Sequence, residues 1–291
     1  MTFRITRNTP LRGQATWKLL AFLIIALLPM RFAAQTEDIN PIVPSHATAQ
    51  KLAVPAYFYP CTSGATCYWP QLLARLNNAG IVVFNPANGN DTAISEDYRM
   101  QLLRLRAQRK ALGATTKFIG YVFTNYGNRS AADVKANIDN YYRWYQPDGI
   151  FFDEALSTDC SKRDYYLDLK NYVLSKSARA FTVLNPGTAT QECYMATADV
   201  LVTFEDTFNN YINRVGPAWE RNYPASRFWH LVHTTPQASM PVAVSLSKTR
   251  NVGYLYVTPD IYINPLADNP WDTLPDLPYW YDELTRLSYA R

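Results

Sequence analysis

The sequence predicts an α/β fold, a single-domain (β/α)8 barrel of the TIM type, and three observations carry the prediction. Short β-branched or aromatic runs alternate with longer amphipathic stretches about eight times, which is how βαβ units spell a parallel sheet. The eight units occupy about 240 residues, the length at which such a sheet closes on itself. No Gly-rich dinucleotide turn follows the first run, which sets aside the open doubly wound sheet.

The strands are expected at 52–59, 81–85, 118–124, 149–153, 180–185, 200–204, 228–233 and 253–258. Helices are expected at 69–78, 95–112, 131–146, 161–177 and 240–248, with a last one near 278–289. Gly80 and Gly113 follow helical runs, where a C′ residue takes positive φ cheaply. Ser95, before Glu96 and Asp97, reads as an N-cap followed by acids that suit the helix dipole. Ser130 reads as a cap for the helix carrying Asp133. The aromatic run Tyr141, Tyr142, Trp144, Tyr145 has helical spacing and reads as packing.

Before the first strand stands a different kind of segment. Residues 1–34 hold Arg4, Arg7, Arg12, Lys18 and Arg31 and no acid, and Leu19 to Leu28 are apolar. An apolar run this short suits a signal-peptide core better than a membrane span of about 20 residues. Cleavage is expected near Ala34, with an uncleaved N-terminal anchor as the alternative. Residues 35–50 are polar and read as a spacer, leaving 51–291 as the folded domain, exported and monomeric. Without the leader the chain keeps 23 basic and 24 acidic side chains of its 28 and 24. That balance offers no basic field to nucleic acid, and no membrane partner is expected unless the leader is retained.

Four cysteines, Cys61, Cys67, Cys160 and Cys193, fit an oxidising compartment and no common zinc spacing. Three pairings are open. Cys61–Cys67 with Cys160–Cys193 is favoured, and free buried cysteines are the alternative. His230 and His233, i and i+3 on one strand, point to opposite faces and cannot chelate together. No metal and no cofactor is expected, and no G-x-S-x-G elbow indicates an esterase.

A barrel carries its chemistry at the C-terminal ends of its strands. There the sequence gathers Tyr57, Asn85, Asn125, Tyr126, Asn185, His233 and Tyr256 as substrate-binding candidates, beside the acids Asp153, Glu154 and Glu205. Amides and acids bind sugar hydroxyls, aromatic faces stack on sugar rings, and two carboxylates flanking a glycosidic bond cleave it. Asp153 and Glu154 close the apolar run Gly149–Phe152, whose burial would raise a carboxyl pKa. Of two adjacent strand residues, one is expected to face the barrel axis and the other a neighbouring strand or loop. Capping, or pairing with Arg129 or Lys162, is the structural alternative. Glu205 closes a similar run two strands on, roughly 8–10 Å away at the backbone, with Asp206 as the alternative acid. Retaining and inverting separations both remain open.

Four segments in order, Val54-Pro55-Ala56-Tyr57-Phe58-Tyr59-Pro60, Val83-Phe84-Asn85-Pro86-Ala87-Asn88-Gly89, Gly120-Tyr121-Val122-Phe123-Thr124-Asn125-Tyr126-Gly127 and Asp148-Gly149-Ile150-Phe151-Phe152-Asp153-Glu154, resemble the spherulation-specific family 4 (spherulin-4-like) proteins, grouped with glycoside hydrolase family 135. The resemblance covers roughly residues 52–260. It implies a (β/α)8 barrel that cleaves α-1,4-linked N-acetylgalactosamine within the chain of the exopolysaccharide galactosaminogalactan. It also implies active-site acids at Asp153, Glu154 and Glu205. Analogy with barrels acting on aminosugar biofilm polymers implies Asp153 as nucleophile or stabiliser, Glu205 as general acid/base and Glu154 assisting. A non-catalytic sugar-binding wall or spore-coat protein is the alternative. A metal-dependent deacetylase is disfavoured for want of a His/Asp ligand set.

Overall fold

A computed structural model describes residues 49–62, 67–89, 92–262, 264 and 268–289. The leader at 1–34 and nearly all of the spacer at 35–50 lie outside the described residues. The spacer's last residue, Gln50, is buried and donates from Nε2 to Ser247 Oγ (2.9 Å) and the Val252 carbonyl (2.7 Å), so it belongs to the folded body.

Eight parallel strands close into a barrel in sequence order: β1 (Lys51–Ala56), β2 (Ala79–Phe84), β3 (Lys117–Phe123), β4 (Gly149–Asp153), β5 (Phe181–Leu184), β6 (Val200–Thr207), β7 (Phe228–His233) and β8 (Tyr254–Val257). The strands read as apolar runs because both their faces are covered. Around them lie α1 (Trp69–Leu73), α2 (Glu96–Leu112), α3 (Ala131–Trp144), α4 (Arg163–Lys176), α5 (Phe208–Ile212), α6 (Met240–Thr249) and α7 (Leu277–Ser288). The connection from β5 to β6 holds a 3-10 turn, Glu192–Ala196, in place of a full helix. None of the described helices is long and apolar enough to cross a membrane.

The helix ends follow local chemistry. Ser130 Oγ accepts the Asp133 N–H, Asp276 accepts the Tyr279 N–H, and Gly113 ends α2 with φ of 62°. Two expected boundary devices differ. Ser95 makes no side-chain cap and donates its N–H to the Tyr145 hydroxyl. Gly80 lies inside β2, where a Cβ would meet the Tyr254 ring at 2.6 Å, so it serves close packing and not a left-handed turn. Tyr141 and Tyr145 are buried against Phe84, as packing residues.

Both expected disulfides are present, Cys61–Cys67 and Cys160–Cys193. The second ties the loop after β4 to the 3-10 turn before β6.

The barrel lumen is packed with aromatic rings. Phe151 on β4 meets Trp229 on β7 with centroids 5.7 Å apart. These strands are not neighbours in the sheet, so the contact crosses the lumen. Tyr121 on β3 packs on Phe151 at 6.0 Å. This plug sets the floor beneath the C-terminal rim.

Candidate active site

Asp153 follows lumen-facing Phe151 by two residues, so strand alternation turns it into the lumen above the plug. Tyr121 donates from its hydroxyl to Asp153 Oδ2 at 2.6 Å. Asp153 neither caps a helix nor meets Arg129 or Lys162. Its neighbour Glu154 leaves the strand with φ of 51°, a left-handed conformation that non-glycine residues take at some cost. Alternation alone would turn Glu154 away; the left-handed step brings it to the cleft wall. The step is held by the Tyr126 N–H and the Thr124 hydroxyl, which both donate to the Glu154 carbonyl.

Glu205 reaches the lumen by a different device. In the ladder with β7, Val202 pairs with Trp229 and Phe204 with His230, leaving Thr203 as an extra residue. Thr203 meets His230 Nε2 at 3.1 Å, and Phe204 packs on both Tyr211 and His230. Two successive residues therefore face the outer helices, and every later side chain changes face. Glu205, opposite Leu231, turns inward because of the bulge. It lies within β6, which runs on to Thr207, and not at the strand's end.

One amide joins the two acids. Asn185, just past β5, donates from Nδ2 to Asp153 Oδ1 and to Glu205 Oε2, each at 2.7 Å. Its Oδ1 accepts the Gly187 N–H at 2.8 Å, which fixes the amide's orientation because an N–H can only donate. The two facing carboxyl oxygens are therefore no more than about 5.4 Å apart, twice the bond each makes to the shared nitrogen. Trp271, in the loop between β8 and α7, donates from Nε1 to Glu205 Oε1 at 2.9 Å.

The electrostatics follow from enclosure. Burial raises the pKa of Asp153, against the lowering effect of the Tyr121 and Asn185 donors. Burial, then the charge of Asp153, pushes Glu205 up to about 7, against its two donors Asn185 and Trp271. Glu154 is raised by burial and by Asp153, with Arg129 and the Asn125 N–H pulling the other way. At neutral pH Glu205 is therefore held near its half-protonated point, beside a second carboxyl whose pKa is raised by the same enclosure.

Above the pair opens a cleft of about 800 Å³ whose lining includes Tyr121, Glu154, Glu205, Asp206, His233 and Trp271. Of the substrate-binding candidates, Asn185 sits between the acids and His233 lines the cleft. Tyr57 packs edge-on against Tyr121 at 5.5 Å, near enough to Asp153 and Glu205 that their charges add to burial in raising its phenol pKa. Asn125 and Tyr126 are exposed on a left-handed turn behind Glu154. Two candidates lie away from the cleft. Asn85 folds back on its own turn, bonding the Asn88 amide and backbone. Tyr256 is fully buried, with its ring against Trp271 and Trp280, and supports the wall without reaching it.

Sequence reading missed Tyr121 and Trp271. The first sits in mid-strand, where only register with Phe151 and Asp153 reveals it. The second comes from a loop whose sole signal is a tryptophan in a polar stretch, Asn269-Pro270-Trp271-Asp272. His230 is buried, bonded to Thr203 and Tyr211, and takes no part in the cleft. No group of side chains suited to a metal occurs among the described residues.

Comparison with known proteins agrees with this architecture. The crystal structure of Aspergillus clavatus Sph3 in complex with GalNAc matches with a TM-score of 0.69 at 20% identity, over 84% of this chain and 99% of that one. The likeness is one of fold, a (β/α)8 barrel. Spherulin-4 of Physarum polycephalum is 29% identical over 266 residues, 87% of this chain and 75% of the relative. The model of the spherulation-specific family 4 matches residues 51–285, nearly the whole folded body, and the chain belongs to that family.

Proposed function

We propose that the protein is an exported, endo-acting glycoside hydrolase that cleaves an exopolysaccharide containing N-acetylgalactosamine or galactosamine. The observation that carries this is the Asp153–Asn185–Glu205 bridge: two enclosed carboxyls held by one amide at the floor of an open cleft. The bound on their separation suits the close pair of a retaining glycosidase, about 5–5.5 Å, better than the wider gap that an inverting enzyme leaves for water. GalNAc bound to the structurally similar Sph3 supports an aminosugar substrate.

On this reading Glu205 carries a proton at neutral pH and gives it to the glycosidic oxygen as that bond breaks. Asp153, ionised, attacks the anomeric carbon to form a glycosyl ester. Glu205, now a carboxylate, takes a proton from water, which attacks the same carbon and releases Asp153. Tyr121 and Asn185 hold Asp153 in place, and Trp271 and Asn185 hold Glu205. Glu154 lies at the wall, where it binds substrate and does not exchange a proton with the pair.

The test is reducing-end release from galactosaminogalactan by the purified protein. Asp153→Asn and Glu205→Gln are each expected to lower kcat on the order of a thousandfold or more, Glu205→Gln less so with an aryl glycoside that needs no acid. Activity surviving both substitutions sinks the mechanism. Binding without cleavage across a panel of polymers favours a sugar-binding coat protein instead.

A further inference from the structure

Tyr121, Phe123, Tyr262 and Trp271 line the cleft, and they present their rings to it unequally. Tyr121 is 7% exposed with its hydroxyl on Asp153, and Trp271 is 6% exposed with its Nε1 on Glu205. Both are committed to holding the acids. The other two offer open surface: Phe123 is half-buried at the end of β3, and Tyr262, in the loop after β8, is 47% exposed.

Their positions assign them to opposite flanks of the acid pair. Phe123 pairs with Asp153 in the ladder between β3 and β4, and strand alternation puts it on the same face as Tyr121, one step nearer the rim. The Arg129 guanidinium covers one face of its ring, 4.1 Å from the centroid. Tyr262 stands on the other flank. There the His233 ring packs edge-on against both Tyr262 and Trp271, with centroids 6.0 and 5.8 Å away. Since Trp271 grips Glu205, the Tyr262 flank is the Glu205 side of the cleft.

The contact with His233 covers at most one face of the Tyr262 phenol, and among the described residues no other ring and no cation packs on it. A half-exposed aromatic ring in a concave wall is apolar area left for a ligand. The C–H face of a pyranose suits it, and the phenol keeps a polar end for the water around a polysaccharide.

The reaction chemistry gives the two flanks different meanings. The carbon that Asp153 attacks and the oxygen that Glu205 protonates are bonded to each other. The sugar that keeps the carbon therefore lies toward Asp153, and the sugar that leaves with the oxygen lies toward Glu205. We infer that Tyr262 is the stacking platform for the leaving sugar, and that Phe123 borders the sugar under attack. The polymer then crosses the rim in one direction, with its reducing-end portion over the loop after β8. This rests on the reading of Asp153 as nucleophile and Glu205 as acid, and adds to it the direction of the chain and the residue that grips the leaving portion.

The experiment compares two substrates, the α-1,4-linked N-acetylgalactosamine polymer and the α-fluoride of its trisaccharide. The fluoride fills the Asp153 side and places a single atom on the leaving side. Tyr262→Ala is expected to lower kcat/KM on the polymer about tenfold more than on the fluoride, and Tyr262→Phe, which keeps the ring, to restore most of the polymer rate. Phe123→Leu is expected to lower both substrates alike. Equal effects of Tyr262→Ala on the two substrates overturn the inference, and so does a Phe123→Leu that harms the polymer alone, which would reverse the chain. If the parent protein cleaves neither substrate, the hydrolase reading falls by itself. Affinity electrophoresis in the polymer then decides the platform: weaker retardation of Tyr262→Ala than of the parent supports it, and equal retardation sinks it.

Discussion

Single hydrogen bonds decide the chemistry of Glu205. Three groups face its carboxyl: Asp153, whose charge raises its pKa, and the donors Asn185 and Trp271, which lower it. Trp271→Phe keeps a ring against His233 and Tyr256 but removes the N–H given to Oε1. A donor lost from the charged form favours the protonated form, so the pKa must rise above about 7. Because Glu205 is the proposed acid, the alkaline limb of kcat/KM should move to higher pH, by about one unit. A pH–rate profile checks this, and an unmoved limb denies Trp271 the role. Asn185→Ala should act differently. It releases both carboxyls from their shared anchor and is expected to cost kcat about a hundredfold, with smaller change in KM, because orientation and not affinity is lost.

At the level of elements, the acids depend on how the strands are held. Gly149 begins β4, and a Cβ there would lie 1.7 Å from the Phe181 carbonyl oxygen. Gly149→Ala must therefore push β4 and β5 apart, and a loss of about 2–4 kcal/mol in denaturant unfolding is expected. The Cys160–Cys193 bridge closes a separation of 33 residues around β5. Its removal as Cys160→Ser with Cys193→Ser should cost about 3–4 kcal/mol if it acts by restricting the unfolded chain. Unchanged unfolding midpoints would show that neither contact carries strain or constraint. The same scale explains what could be read in advance. Strand β4 and β7 were legible to the residue because apolar runs end where barrel strands end. The Asp153–Glu154 pair was legible for the same reason. The bulge at Thr203 was not, since a one-residue shift leaves no mark on composition, yet it alone turns Glu205 inward. Nor was the Trp271 contact, which joins residues 66 apart through a loop with no periodicity.

Across the whole molecule, buried titratable groups set two opposed slopes of stability against pH. Burial raises the pKa of Asp153, Glu205 and Glu283, so the folded state holds their protons longer than the unfolded chain does. Groups of this kind stabilise fully below their unfolded pKa, near 4.5 for Glu, and the contribution is lost as pH rises through the folded value, about 7 for Glu205. Glu283 on α7 extends that loss upward: its pKa lies well above the usual range, and one of its oxygens accepts the Val257 N–H while the other has no partner among the described residues. His230 and His233 act in the opposite sense. Burial lowers both, so the stability tied to their neutral form is present above 6.5 and lost as pH falls below it. The two families of groups oppose each other between about pH 4.5, the unfolded Glu value, and 6.5, and above 6.5 the acids act alone. Thermal unfolding should therefore show a Tm that falls as pH rises above 6.5, where the acids act unopposed. Glu283→Gln keeps an acceptor for the Val257 N–H while removing the titration, so it should flatten the alkaline side and leave the acid side in place. Glu205→Gln should likewise gain on the order of 1–3 kcal/mol relative to the parent above pH 7 and nothing below about pH 4.5. A Tm that climbs steadily from pH 5 to pH 8 in the parent would mean that these acids ionise freely in the folded state, and the close, enclosed pair at the barrel's rim would lose its physical basis.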